Sequence, residues 1–302
     1  MRPAARRRMT APRQVLPGVT YHLTRRCTQR TFLLRPSDCT NDVFLYVLAV
    51  AAQRFGVRVH GFCVLSNHCH LVVTDPDARL PEFTQFLHAF VARALNASLG
   101  HKEAFWNSKG CSVVTLVAPE DVVDKTAYTL ANPVAAGLVR TARMWPGLWS
   151  EPERFGTSIE VKRPRHFFAE DGDMPQTATL ELTIPPGFES VEQFRAAVLS
   201  GLKSREEEAQ QRFGRNFLGV ARVLNQNPTG RPTSFEPRST LNPRVAARDT
   251  AQRVAALRRL KEFVNAYREA WAAWRSGARD VVFPTGTYML RVWHGVPCAE
   301  FG

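Results

Sequence analysis

The chain has 302 residues, 44% of them hydrophobic and 22% charged, a balance that excludes an intrinsically disordered protein. It has no stretch near the roughly 18 consecutive apolar residues of a membrane span, no apolar segment after the basic N-terminus, and no C-x-x-C pair among its six cysteines. A transmembrane helix is therefore excluded, a secretory signal, a zinc ribbon and a disulfide scaffold are not expected, and the cysteine pattern fits a reducing cytoplasm.

The net charge of +13 indicates a polyanionic partner. Arginine supplies 34 of the 40 basic residues, and its planar guanidinium suits phosphate contacts and stacking on bases. Nucleic acid is therefore expected ahead of an anionic membrane. The alternative is that a GC-rich genome enriches arginine codons.

The first half of the chain predicts alternating strands and helices. In chain order, the elements are a strand at 19–24, a helix that is capped by Asp38 or Asn41 and runs to 55, strands at 57–65 and 68–74, a helix at 80–99, a strand at 112–117 and a helix at 119–131. Pro133 is expected to stop the last helix. The first six elements describe an α+β fold, a ferredoxin-like antiparallel sheet with helices on one face.

The second half is less regular and mainly helical. It predicts helices at 190–213 and 245–275, a connector rich in Pro, Asn and Arg at 225–243, and a β or irregular tail at 281–296. The net charge is +8 over residues 1–155, −3 over 156–214 and +8 over 215–302.

These shifts predict four regions. They are a basic flexible arm at 1–14, a catalytic domain at 15–155, an acidic spacer with a helix at 156–214, and a basic, mainly helical C-terminal region at 215–302.

Two histidines stand two apart on the third predicted strand. Because side chains alternate along a strand, His68 and His70 share one face, while Cys69, Leu71 and Val73 face the helix-covered core. Both imidazoles are thus expected on the open side of the sheet. Such a pair can hold one divalent ion if a third ligand arrives from elsewhere. Unrelated surface or hydrogen-bonding histidines are the alternative.

A tyrosine and an asparagine stand four apart on the last predicted helix of this half. Tyr128 and Asn132 therefore lie one above the other. An amide oxygen could complete a two-histidine metal site and present the phenol to the same ion. Alternatively, Tyr128 is an ordinary half-buried aromatic residue, and Asn132 simply precedes the stop at Pro133.

Taken together, these motifs resemble a known family. His68-Cys69-His70, within residues 61–73, resembles the HUH motif, in which U is hydrophobic. Residues 128–139 resemble the tyrosine helix and following turn of single-tyrosine HUH transposases. Residues 21–26 and 104–106 also resemble the REP-associated tyrosine transposases, a branch of the IS200-like transposases. The resemblance covers about residues 15–155, with Cys69 as a mild departure at the U position, and it implies the HUH nuclease fold there.

This resemblance implies a metal-assisted transesterification on single-stranded DNA that forms hairpins. His68 and His70, with Asn132 as a candidate third ligand, would hold Mg²⁺ or Mn²⁺. Tyr128 would attack phosphorus, leaving a 5′-phosphotyrosine and a free 3′-hydroxyl. The metal's identity rests on the family, and no general base is evident from the sequence.

Further residues are candidates for DNA contacts. Arg25, Arg26 and Arg30 follow the first strand and either grip the DNA backbone or form a solvated loop. Trp106 either stacks on an unpaired base or packs in the core. The start of the long C-terminal helix carries a basic group, which either grips a structured DNA end or is the charged side of a structural helix. This group comprises Arg244, Arg248, Arg258 and Arg259.

Two other functions remain open from the sequence. One is a catalytically silent DNA-binding or regulatory protein derived from such a transposase. The other, a metal-dependent hydrolase of small phosphoesters, leaves both basic regions and the tyrosine unexplained. The oligomeric state, monomer or homodimer, is also open, as is the question of whether Tyr128 acts on its own chain's site.

Overall fold

A computed structural model describes residues 12–165, 168–169, 172–233 and 243–300. The chain divides into two compact units, a larger one over residues 18–248 and a smaller one that combines the segment up to residue 17 with residues from 249 onward. Residues 1–11 of the predicted basic arm lie outside the described residues. The predicted borders after residues 155 and 214 both fall inside the larger unit.

The larger unit contains all the strands named here. They are β1 (Val19–Arg26), β2 (Arg58–Leu65), β3 (His68–Asp75), β4 (Ser112–Leu116), β5 (Ser158–Lys162), β6 (Thr177–Glu181) and β7 (Val245–Ala246). The helices are α1 (Asp38–Phe55), α2 (Leu80–Leu99), α3 (Pro119–Ala135), α4 (Val191–Phe213), α5 (Val220–Leu224), α6 (Thr250–Arg275) and α7 (Met289–His294), with 3-10 turns at Thr28–Arg30, Ala142–Met144 and Pro152–Arg154.

The main sheet has the order β2-β3-β1-β4-β7. Its first four strands are antiparallel and, with α1 and α2, form the predicted ferredoxin-like arrangement. The α+β fold class is therefore confirmed. The short strand β7 was not predicted, and it joins β4 in parallel, which makes the five-stranded sheet mixed.

One face of the sheet carries the main hydrophobic core. Alternate residues of β3, Cys69, Leu71 and Val73, pack there against α1 and α2, as their spacing predicts. Helix α1 begins one residue earlier than the predicted caps allow, since the Ser37 hydroxyl accepts a hydrogen bond from the Thr40 N–H at 3.1 Å. Asp38 and Asn41 are therefore wrong as caps, and a serine at the N-cap satisfies an otherwise unpaired helix donor.

Helix α3 covers the opposite face, which the sequence predicted to be open. Its apolar side packs on β2 and β3, and α4 packs on α3 in turn. The helix also continues past Pro133 to Ala135. Proline removes only one intrahelical hydrogen bond so close to the C-terminus, and the Ala136 N–H still donates to the Asn132 carbonyl at 2.9 Å. The predicted end at residue 131 is thus wrong.

The stretch predicted as an acidic spacer packs within the larger unit. Its hairpin, β5 and β6, places Val161 and Leu180 in the main core, while α4 contributes Phe194 and Val198 to a second core beneath α3. Helix α4 has the predicted extent, with Ser190 as its N-cap.

The smaller unit is built on α6 and α7. Helix α6 begins at Thr250, capped by the Asp249 carboxylate, instead of at the predicted Val245, because residues 245–246 pair with β4. The tail predicted to be β or irregular contains α7 instead. None of the described helices has the length and hydrophobicity needed to cross a membrane.

Candidate active site

The histidine pair lies on β3, on the face of the sheet that α3 covers. The imidazoles of His68 and His70 meet edge to face, with centroids 4.9 Å apart. His68 is half-buried at the start of the strand, whereas His70 is only 4% exposed because α3 and β1 enclose it. The two rings share a face, as the strand spacing predicts, but this face is not open to solvent at His70.

The orientation of His68 is set by Asn67. The Asn67 amide donates through Nδ2 to the Arg30 carbonyl at 3.2 Å, so its Oδ1 faces the Nδ1 of His68 at 2.6 Å. An amide oxygen only accepts, and Nδ1 must therefore carry the proton. This tautomer leaves a lone pair on Nε2, the nitrogen that could bind a cation.

His70 makes its contacts through Nδ1. The Thr24 hydroxyl lies 3.0 Å from this nitrogen and the Nε2 of His22 lies 3.2 Å from it. The other ring nitrogen, Nε2, is buried and has no hydrogen-bond partner among the described residues. Burial, then the neighbouring His68, lowers the pKa of His70 well below its usual value, so the ring is neutral at pH 7.

Tyr128 projects from α3 onto the same rings. Its phenol is edge-on to His70 with centroids 5.6 Å apart and to His22 at 5.8 Å, while 39% of the side chain stays exposed. Lys125, one turn earlier on α3, places its Nζ 5.5 Å from the centroid of the Tyr128 ring. All these residues belong to one chain, so a second subunit is not needed to bring them together.

His22 belongs to this cluster, and sequence analysis did not single it out. Its ring is stacked on His70 at 5.2 Å, nearly parallel. Burial, followed by Lys125, lowers the pKa of His22 to about 4. The available signal was the ferredoxin-like strand order, which makes β1 the neighbour of β3 and places alternate residues of β1 on the histidine face.

Asn132 is buried one turn beyond Tyr128 on α3. Among the described residues its amide makes no hydrogen bond to either histidine. Likewise, no group of three or more His, Cys, Asp or Glu side chains in the described ranges is arranged to hold a metal ion. The Nε2 of His70 is nevertheless buried without a partner, and its lone pair could bind a metal ion. The residues of the chain therefore fit a divalent ion that has few protein ligands.

The three arginines predicted to contact DNA take different positions. Arg26 lies opposite His68 in the β1–β3 ladder, on the site face. Arg25 points to the other face, where its guanidinium lies 5.7 Å from the Trp106 ring, and burial lowers the pKa of Arg25. Arg30 has a left-handed backbone, with φ of 64°, and presents its carbonyl to Asn67.

The remaining predicted DNA contacts are divided between the units. Trp106 is half-buried and donates its indole N–H to the His88 carbonyl, so it is partly a packing residue. In the larger unit, the Arg244 carbonyl accepts a hydrogen bond from the Thr115 N–H of β4, and the Arg248 N–H donates to the Asp121 carboxylate at 2.7 Å. In the smaller unit, Arg258 and Arg259 are exposed on α6, and Arg258 forms an ion pair with Glu262.

The fold and the site together define an α+β domain in which a histidine pair and a helical tyrosine share one face of a ferredoxin-like sheet. Residues 16–125 match the family described as Transposase IS200 like. The resemblance predicted from the motifs is therefore confirmed over these residues. The match includes both histidines and ends three residues before Tyr128.

Two solved structures are similar to part of the chain. The REP-associated tyrosine transposase bound to a REP hairpin has 18% identity and a TM-score of 0.36, over 45% of this chain and 78% of that one. A candidate transposase from Deinococcus radiodurans R1 has 24% identity and a TM-score of 0.28, over 35% of this chain and 85% of that one. No curated protein matches the sequence.

Proposed function

We propose that this protein nicks and rejoins single-stranded DNA, with Tyr128 as the nucleophile. The observation that carries the proposal is the packing of the Tyr128 ring against His70, with centroids 5.6 Å apart and planes 88° apart, just beyond the residues that match the IS200-like transposase family. A phenol that is partly exposed beside a buried imidazole with an unpartnered nitrogen can meet a phosphodiester and a cation at once.

The reaction is a transesterification. The Tyr128 oxygen attacks phosphorus and loses its proton, the bond from phosphorus to the 3′ oxygen breaks, and that oxygen gains a proton. The product is a 5′-phosphotyrosine and a free 3′-hydroxyl. Because one phosphodiester replaces another, an incoming 3′-hydroxyl can reverse the step without a separate energy source.

His68, His70 and Asn132 would hold a divalent ion, Mg²⁺ or Mn²⁺. When bound, such an ion polarises the phosphoryl oxygens and neutralises charge that develops on them. The chain's own contribution is orientation. Asn67 sets the proton of His68, and α3 holds Tyr128 against His70.

Cationic side chains around the site support an anionic substrate. Arg26 lies opposite His68 on the site face, and Lys125 lies over the Tyr128 ring. With a net charge of +13, the protein should attract nucleic acid from a distance. We propose hairpin-forming single-stranded DNA as the substrate and the cytoplasm, with the chromosome, as the place of action.

The test is covalent capture of DNA. The full chain is incubated with labelled single-stranded oligonucleotides that carry a hairpin, with Mg²⁺ or Mn²⁺, and separated on a denaturing gel. We expect a protein–DNA adduct that Tyr128→Phe abolishes and EDTA suppresses. Tyr267→Phe, in the smaller unit, is the matched control and should form the adduct normally. An adduct that persists in the Tyr128→Phe protein would reject this nucleophile.

A second candidate is a DNA-binding protein that has lost the chemistry. It is favoured by one observation, the net charge of +13, which supports DNA binding whether or not the chain cuts DNA. In the same experiment it predicts hairpin binding without any adduct in either metal.

A further inference from the structure

We infer that His22 is a positioning residue for the proposed strand transfer. It holds the proton of His70 on Nδ1, so that Nε2 keeps a lone pair for the reaction site. The inference rests on the proposed function only for its consequence in catalysis. The proton arrangement on which it depends is a property of the protein alone and can be measured without DNA.

The geometry couples the two rings directly. Their planes are 6° from parallel at 5.2 Å, and the Nε2 of His22 lies 3.2 Å from the Nδ1 of His70. Both side chains are buried, at 7% and 4% exposure, so water does not compete for this contact. Rotation of either imidazole about its Cβ–Cγ bond would therefore break this hydrogen bond.

A hydrogen bond between two imidazole nitrogens has one proton. If it lies on the Nδ1 of His70, His22 accepts it, the Thr24 hydroxyl can also accept it, and the Nε2 of His70 keeps a lone pair. The opposite arrangement puts an N–H on the Nε2 of His70, where no acceptor lies among the described residues. Buried N–H groups without an acceptor are costly and rare. The first arrangement is therefore favoured.

His22 thus does for His70 what Asn67 does for His68. In each case a neighbouring acceptor holds the proton on Nδ1 and leaves Nε2 available to a cation or a phosphate. Groups of this kind behind a metal-binding histidine typically change metal affinity or activity by about 10–100-fold. His22 also touches the Tyr128 ring at 5.8 Å, so it supports the nucleophile and the histidine together.

The experiment reads the tautomer of His70 from the nitrogen shifts of ¹⁵N-histidine-labelled full-length protein without metal or DNA, assigned with His70→Asn. We expect the proton on Nδ1 in the wild type. His22→Phe keeps an aromatic ring but leaves the Thr24 hydroxyl to hold the Nδ1 proton alone, so a fraction of His70 with a protonated Nε2 should appear. His22→Gln supplies an amide oxygen at the position of Nε2 and should restore the wild-type pattern. His101→Gln is the control and should change nothing.

Two further measurements connect the tautomer to function. Mn²⁺ affinity by electron paramagnetic resonance and kcat of adduct formation should each fall about 10–100-fold in His22→Phe, with KM for the oligonucleotide unchanged and partial recovery in His22→Gln. A proton on Nε2 of His70 in the wild type, or a His22→Phe protein that matches the wild type in tautomer and Mn²⁺ affinity, would overturn the inference. A correct tautomer in a protein that forms no adduct would instead reject the proposed function.

Discussion

The phenol of Tyr128 stands edge-on to the imidazole of His70, with planes 88° apart and centroids separated by 5.6 Å. The two residues are 58 positions apart in the sequence. Tyr128 lies on helix α3, and His70 lies on the sheet beneath that helix. Their contact depends on α3 crossing β2 and β3, and α3 is held down in turn by α4. The geometry of the candidate site is thus a consequence of how two helices outside the ferredoxin-like core pack.

Replacing Asn67 should slow adduct formation without unfolding the protein. Asn67→Ala removes the oxygen that holds the proton on the Nδ1 of His68, so both tautomers become populated. We expect the rate of adduct formation to fall about 10–100-fold. Gel time courses would measure this, with Asn107→Ala, another loop asparagine, as the control. An unchanged rate in Asn67→Ala would show that His68 needs no such partner.

Adding a methyl group at Gly201 should destabilise the protein. Alanine normally favours a helix over glycine by about 1 kcal/mol, but here the new Cβ would lie 2.9 Å from the Cβ of Ala127 on α3. Overpacking typically costs about 1–3 kcal/mol, so Gly201→Ala should lower the midpoint of urea unfolding. Ser204→Ala, exposed on the same helix, should leave the midpoint unchanged or raise it slightly. A Gly201→Ala protein as stable as the wild type would mean that α3 and α4 can separate freely.

Acid should destabilise the fold through His60. This residue is fully buried, its Nδ1 donates to the Thr183 carbonyl at 2.9 Å, and its Nε2 accepts from the Thr74 hydroxyl at 2.7 Å. Burial lowers the pKa of His60 from 6.5 to about 4. At a pH between these two pKa values, His60 is protonated in the unfolded chain but not in the folded protein. The contribution of neutral His60 to stability is therefore complete above pH 6.5 and declines as the pH falls toward 4.

The measurement is the free energy of unfolding in urea from pH 7 to pH 4.5. His60 should contribute a slope of up to about 1.4 kcal/mol per pH unit. Because His22 and His70 titrate in the same direction, the wild-type slope is a sum. Comparison with His60→Asn isolates this residue, and equal slopes in the two proteins would contradict the prediction.

Exposed arginines on α6 should contribute to DNA affinity but not to the chemistry. Replacing Arg258 and Arg259 together by glutamine should weaken binding to a hairpin oligonucleotide. It should also reduce the dependence of log affinity on log salt by about 0.9 for each DNA phosphate that these arginines neutralise. The fraction of adduct at saturating DNA should not change. Titrations at several salt concentrations measure this, with Lys203→Gln on α4 as the control. An unaltered salt dependence would make α6 a structural helix.

Local patterns were sufficient for the main elements of the first half. Helix α2 occupies the predicted residues 80–99, because apolar residues at helical spacing and a terminal glycine are local signals. Alternation along β3 likewise placed His68 and His70 on one face. By contrast, the strand β7 was missed because it exists only through its pairing with β4, which is distant in sequence. The end of α3 lies past Pro133 because a proline so close to the C-terminus removes only one intrahelical hydrogen bond. The helix α7 was also missed.

By itself, the sequence identified the histidines and the tyrosine that could carry the chemistry. It also determined their spacing on a strand and on a helix, and the excess of positive charge. Tertiary structure alone decided that the histidine face is covered, that His22 and Thr24 reach His70, and that the guanidinium of Arg25 lies beside the Trp106 ring. Periodicity reports which residues share a face of one element. Only packing between elements determines what that face meets, because burial and hydrogen bonding depend on residues far away along the chain.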